Sequence, residues 1–346
     1  MASLSDDTTI TPTSSHTYSA RFPEQWCIGA VPHGGYITTC FMRVAALHFA
    51  TTLSRQQQPD TMTLHLEFVR RTRVGPATFT VHDVKLGRAT STIHIALSQA
   101  GQDAVVAYVT HTNLSLESGP SHDTGWNPPR DPPILPVDLA ALTRGTDANW
   151  AERRVMPHAA FRKAGAHVRF HFPRAGQPQP SVADHWLCFR RSSERFTNAS
   201  LGFVVDMFPQ LHEVLRAPAG ALDPYSIAAE EAQAQAQSRI SQDSDSYSKK
   251  EKQKKTDADP DAKFWYPTLL LNLEVKKRLP DEGVEWLLVR TRAKVIRNGR
   301  YDLEVVVWDA SGDVVALSHH VCMILSSERN LAQRRPKVER GREGKL

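Results

Sequence analysis

A carboxylate stands where an apolar run leaves little room for it. Asp206 lies within Leu201-Gly202-Phe203-Val204-Val205-Asp206-Met207-Phe208. A charge among such neighbours is costly unless it is hydrogen-bonded or used. Used, it can serve as a general base for a water. Thr268 opens a strand-like run after Pro267 and brings a hydroxyl. His320, in Ala316-Leu317-Ser318-His319-His320, brings a ring that titrates near neutral pH. His319 is adjacent and would point to the opposite face of a strand. His33-Gly34-Gly35 precedes a long apolar run, where small residues at a helix start leave backbone N–H groups and the positive dipole end open to a carbonyl oxygen or a phosphate. Each residue also has an ordinary use. Asp suits a solvent stripe, Thr a strand, His a surface, and Gly tight helix–sheet packing. The Gly-x-Ser-x-Gly elbow of serine hydrolases does not occur, which favours a directly activated water over an acyl-enzyme.

These residues need elements to hold them. Residues 36–53 are rich in Ala, Leu and Met and predict a largely buried helix of about five turns. Four strand-like runs follow at 61–71, 77–86, 89–99 and 104–114. In the third, Ile93, Ile95 and Leu97 alternate with His94, Ala96 and Ser98. The pattern then returns. Strands are expected at 167–172 and 185–189, a helix over 198–216 carrying Asp206, and strands at 266–277, 285–296, 300–309 and 313–325. Thr63 to Arg71 lines up with Leu270 to Arg278, which sets Thr61 on Thr268. Gly87-Arg88 answers Gly299-Arg300 and Gly101 answers Gly312. Val105-Val106-Ala107 resembles Val314-Val315-Ala316 if a small gap is allowed. Two copies of one helix-then-strands unit imply duplicated domains and an α+β layout.

The order of motifs then carries a resemblance. Trp26 with Pro32-His33-Gly34-Gly35-Tyr36, residues 63–71 and Val84-Lys85-Leu86-Gly87-Arg88 resemble the N-terminal half of thioesterase-like proteins similar to acyl-CoA thioesterase II. Residues 202–209, 267–275 and 313–325 resemble the second half. The resemblance implies a double hotdog, two long central helices each wrapped by a curved antiparallel sheet. Residues 1–15, rich in Ser, Thr and Asp, read as a disordered leader, and the Pro-rich 116–160 as a connector with a short helix near 139–142, which leaves an N-terminal hotdog at 16–115 and a C-terminal hotdog at 161–327. Residues 228–262, charged and nearly free of large apolar side chains, read as a disordered insertion, and 328–346 as a basic tail. The implied activity is cleavage of an acyl-CoA or carrier-bound acyl thioester to free acid and thiol. Asp206, Thr268 and His320 would hold the water, and His33, Gly34 and Gly35 would bind substrate. His320 stands where the family usually has Gln, a neutral clamp. The first half has Thr61 but no clear partner for Asp206, so one site per chain is expected. Phe41, Phe68, Phe203 and Phe208 are candidate acyl-groove walls, and Arg70, Arg71, Lys276, Lys277 and Arg278 candidate phosphate binders. The competing expectation is a hotdog that binds an acyl or polyketide-like ligand without cleaving it.

The remaining features set boundaries. Net charge is +5, with basic residues crowded at 249–255 and 334–345. Such runs lack the aromatic interleaving of a nucleic-acid module, and no nucleic-acid partner is expected. Cys27, Cys40, Cys188 and Cys322 form no CxxC pair, so neither a zinc ribbon nor a disulfide scaffold is expected, and no cofactor or metal is called for. The polar start predicts no secretory signal, and no run is long enough to span a membrane. A cytoplasmic location follows, with the terminal Gly-Lys-Leu a weak variant of a peroxisomal address. Edge strands leave pairing with a second copy open.

Overall fold

The computed structural model describes residues 2–332 except 117, 123, 125, 127–131, 219 and 244–261. Most of its strands form one 14-stranded antiparallel sheet, with two separate short pairs, Cys27–Ile28 with Val31–Pro32 and Phe264–Trp265 with Leu325–Ser326. In chain order the main elements are β1 (Thr17–Phe22), α1 (Gly34–Ala50), β2 (Asp60–Phe68), β3 (Gly75–Lys85), β4 (Ser91–Gln99) and β5 (Gln102–Thr112). They continue as β6 (Trp150–Arg153), β7 (Val168–Pro173), β8 (Val182–Phe189), the short α2 (Leu201–Val204) and α3 (Leu211–Leu215). The last four are β9 (Thr268–Val275), β10 (Leu287–Arg292), β11 (Arg300–Trp308) and β12 (Val314–Met323). The spatial order is β1-β3-β4-β5-β2-β9-β12-β11-β10-β8-β7-β6, with two-residue strands at Thr11–Pro12 and Ile296–Arg297 added on β1 and β11.

That order is a mirror about the β2–β9 seam for five strands on each side, with β7 and β6 extending the second half beyond it. Each half is a strand, a helix and four strands: β1, α1, β2 to β5 in one, and β8, α2, β9 to β12 in the other. The expected double hotdog is therefore present, with the two sheets fused through Leu64↔Leu273 and Leu66↔Leu271. Strand β1 was not foreseen; its Tyr18 and Phe22 are fully buried against the helix side of the sheet. Helix α1 is apolar on nearly every face, with Tyr36, Ile37, Cys40, Phe41, Val44 and Ala45 all buried, as befits a helix enclosed by its sheet. The alternation in β4 sends Ile93, Ile95 and Leu97 into this core.

The second helix departs from expectation. Residues 198–216 are not one helix: a 3₁₀ turn (Asn198–Ser200) leads into α2, the chain turns over residues 205–210, and α3 follows. Pro209 has no N–H and restricts the residue before it. The carbonyls of Asp206 and Met207, which a continuous helix would bond four residues ahead, instead accept from His33 and His185. The last-strand alignment also shifts. Leu64 pairs with Val109 and Leu271 with His320, so Val109 is the counterpart of His320 and His111 that of Cys322. No gap is needed: Gly101 and Gly312, both at positive φ, already set this register.

The segment expected as a disordered leader and the expected connector both contribute packed structure. Residues 4–7 form a helical turn with Leu4 buried, and Asp7 accepts the Trp26 indole N–H at 2.6 Å. Part of the connector covers the outer face of the second half. Helix Leu139–Arg144 lies over Trp150, Trp186, Trp286 and Trp308. Beside them Arg290 grips Asp184 through two 2.6 Å bonds. The insertion begins as helix Ile227–Asp243, and its stretch 244–261, like the tail 333–346, lies outside the described residues. None of the four cysteines is in a disulfide and all are buried. Among the described residues no helix is long and apolar enough to cross a membrane.

Candidate active site

The turn after α2 presses Asp206 against the start of α1. Closeness is possible because of three glycines. A Cβ on Gly35 would stand 2.8 Å from both the Asp206 Cβ and the Gly202 carbonyl oxygen, and one on Gly34 would stand 2.7 Å from Asp206 Oδ2. A Cβ on Gly202 would meet Thr38 and the Thr39 amide at 2.9 Å. The Gly35 N–H donates to Asp206 Oδ2 at 2.6 Å, a charge-assisted bond at a helix N-terminus. His33 donates from Nε2 to the Asp206 carbonyl at 3.0 Å and lies 3.3 Å from Oδ2. The His33-Gly34-Gly35 motif of the first half is thus the cradle for the carboxylate of the second.

With Oδ2 held, Oδ1 faces two other groups. The Thr268 hydroxyl is 3.5 Å away and His320 Nδ1 is 3.6 Å away. The tautomer of His320 follows from its surroundings. Ser318 donates its hydroxyl to the Asn272 carbonyl at 2.5 Å, so its oxygen accepts from His320 Nε2–H at 2.9 Å. Nδ1 is then a bare acceptor, and it is buried without a hydrogen bond inside the protein. Burial pulls the imidazole down to about 4, against the opposing pull of the Asp206 carboxylate, so the ring is neutral at pH 7. Burial likewise lowers His33, opposed by Asp206. Cys322 sits 3.7 Å from the Thr268 hydroxyl, and burial pushes its thiol up to about 12. It is a neutral wall, not a nucleophile.

All six residues singled out in the sequence meet here, since His33, Gly34 and Gly35 surround the carboxylate that Thr268 and His320 face. Sequence reasoning missed His185 and Ser318. His185, fully buried in β8, donates from Nε2 to the Met207 carbonyl at 3.0 Å. With His33 it pins two consecutive carbonyls of the turn from opposite halves. A histidine inside Val182–Phe189, where every residue is buried, was the available signal. Ser318 lies two residues before His320, hence on the same strand face.

Asp206, Thr268, His33 and Gly34 open onto a cavity of about 840 Å³. Phe68 and Phe208 line it as foreseen, whereas Phe41 and Phe203 are core. Of the basic candidates, Arg70 and Arg71 line it. Lys276, Lys277 and Arg278 are turned to Glu274, to Asp309 and Asp313, and to Asp281 respectively. Arg154, Arg162, Arg190 and Arg329 complete its arginines, and Asp206 is the only carboxylate among its described lining residues.

A fused pair of hotdogs, with a carboxylate set between the start of one central helix and the strands of the other half, defines a double-hotdog protein with one composite site. The models for the acyl-CoA thioesterase N-terminal and C-terminal domains match residues 22–112 and 128–324. The chain belongs to this thioesterase family. It is 39% identical to the thioesterase-like protein TwmA of Talaromyces wortmannii over 96% of this chain and 95% of that one. Among solved structures, a hot dog fold protein of Alicyclobacillus acidocaldarius superposes with a TM-score of 0.64 at 16% identity, covering 94% of this chain and 98% of the other. The acyl-CoA thioesterase II TesB2 of Mycobacterium marinum gives 0.53 at 15% identity with the same coverage.

Proposed function

We propose that the protein hydrolyses an acyl thioester, carried on coenzyme A or on a carrier protein, by direct attack of a water held between Asp206, Thr268 and His320. One observation carries this reading: Asp206 and Thr268 line one cavity, and the Thr268 hydroxyl and the buried His320 Nδ1 stand 3.5 and 3.6 Å from the same oxygen, Asp206 Oδ1. Oδ1 and Nδ1 are both acceptors, so a water between them donates one hydrogen to each, and its lone pair is left to attack. The Thr268 hydroxyl fixes its third direction. Asp206 takes the proton as the carbon–oxygen bond forms, and its hydrogen bond from Gly35 keeps the carboxylate placed while it does so; the intermediate then collapses with cleavage of the carbon–sulfur bond, and the proton passes to the departing thiolate. Gly34 lines the cavity at the start of α1, and we assign its amide as the donor for the developing oxyanion. The neutral His320 replaces a neutral Gln without changing the number of charges in the site.

The test is release of free CoA from a panel of acyl-CoAs by wild type and by Asp206→Asn. A fall of roughly 1,000-fold in the variant is expected for loss of a general base. Equal rates would reject the site, and binding of the panel without release would favour the ligand-binding alternative.

A further inference from the structure

One cation of the cavity is set apart from the rest. Arg162 and Arg71 are half-buried, while Arg70, Arg154, Arg190 and Arg329 are exposed, and Arg71 donates to the backbone carbonyls of Arg329, Asn330 and Ala332. The Arg162 backbone is fixed by a tight turn, in which the Phe161 and Arg162 amides both donate to the His158 carbonyl and Phe161 accepts from Gly29 at 2.6 Å. Its guanidinium spends Nη1 on the buried Tyr225 hydroxyl at 2.7 Å and lies 5.8 Å from the centre of the Tyr266 ring. Among the described residues no carboxylate comes within ion-pair distance of it. Glu213 is near, but its carboxylate already accepts from Arg216 at 2.5 Å and from the Tyr266 hydroxyl. Glu213 acts on Arg162 at longer range as a favourable charge, while the groups in direct contact with the guanidinium are a phenol and a ring. The same wall carries Gln210 and Tyr301 and runs through Tyr301 to Cys322 and Thr268.

A purely alkyl chain in this wall would bury the guanidinium further and add no partner to offset the lost hydration. An anionic oxygen would offset it and could take the two nitrogen donors that Tyr225 leaves over. Resting on the hydrolase reading above, we propose that Arg162 is the receptor for an anionic oxygen on the acyl chain, so that the preferred substrates are acyl thioesters bearing a carboxylate or an equally acidic enol. The exposed arginines at the mouth are left for the phosphates of the thiol carrier.

The experiment compares α,ω-dicarboxylic mono-CoA thioesters of four to ten carbons with monocarboxylic acyl-CoAs of equal length. Wild type, Arg162→Met and Arg162→Lys are assayed for CoA release, with melting temperatures as the control for folding. Wild type is expected to favour the best dicarboxylic thioester by roughly 10- to 100-fold in kcat/KM, the worth of a hydrogen bond to a charged group. Arg162→Met should erase that preference and Arg162→Lys should keep part of it. An unchanged preference in Arg162→Met overturns the proposal. So does an equal loss for every acyl-CoA together with weaker binding of free CoA, which would assign Arg162 to the phosphates. Calorimetric binding of the free dicarboxylic acids separates this from the hydrolase reading. Binding that Arg162→Met abolishes in a chain that cleaves no thioester would sink hydrolysis and leave the receptor standing.

Discussion

Thr61 and Thr268 occupy equivalent places, each near the start of the strand after its central helix and each followed at once by a bulge in the ladder. Their surroundings differ. Thr61 is bonded to His111 Nε2 at 3.0 Å, and His111 Nδ1 donates to the Gln58 carbonyl at 3.0 Å. Phe49 stacks on the ring at 4.3 Å. The Thr61 hydroxyl and both His111 nitrogens are bonded from within, and among the described residues no carboxylate is bonded to the pair. Around Thr268 the counterpart of His111 is Cys322, a weak partner at 3.7 Å, so the hydroxyl stays available. The histidine has moved two residues along the strand, to where the first half has Val109, and Ser318 fixes its tautomer where the first half has Ala107. One duplicated scaffold thus holds a closed hydrogen-bond pair in one half and an open set of acceptors in the other. A reactive site needs polar atoms that the fold orients but does not saturate.

The comparison can be broken most severely at the cradle. Gly35→Ala places a Cβ against the Gly202 carbonyl and the Asp206 Cβ, both of which are held. Activity should fall by roughly 100-fold, because displacement of the carboxylate by a fraction of an ångström is enough. Stability should fall by about 1–3 kcal/mol from overpacking, read from urea unfolding. A variant with wild-type kinetics would show that the close approach of the two halves is dispensable. Copying the first half into the second comes next. His320→Val should cost roughly 30-fold in kcat/KM, while His320→Gln, which restores a neutral clamp, should stay within about tenfold of wild type. Indistinguishable rates for the two variants would remove His320 from the water site.

An effect on stability rather than on rate spans both halves. Burial holds His111, His171, His185 and His320 each down to about 4, below the value near 6.5 of an unfolded chain. Below pH 6.5 the unfolded chain takes up protons that the folded one refuses. Stability therefore declines between about pH 6.5 and 4, by about 1–2 kcal/mol per histidine at pH 5. Urea midpoints that stay constant from pH 7 to 5 would contradict this, and His111→Phe should recover one histidine's share.

The sequence exposed the duplication because alternation and turn glycines are local properties, legible residue by residue. It exposed Asp206 for the same reason, a charge in an apolar run. The break after α2 escaped it. Pro209 was a visible signal, but the bonds that replace the helix come from His33 and His185, far away in the chain. The role of the His33-Gly34-Gly35 motif was half legible. Glycine at a helix start announces a close neighbour, yet only the packing of α1 on α2 reveals that the neighbour is Asp206 itself. The register of β12 was misplaced by two residues because Val-Val-Ala outweighed the turn glycine by eye, whereas the ladder obeys the turn.

The claim that chemistry resides in one half is tested most directly by measuring thiol release for Thr268→Val and Thr61→Val side by side on one acyl-CoA. The two substitutions remove the same hydroxyl from equivalent strand positions. A loss of roughly 10-fold or more in kcat for Thr268→Val, with Thr61→Val within about twofold of wild type and lower only in stability, is the predicted result. Equal losses in the two variants, or a larger loss in Thr61→Val, would contradict it.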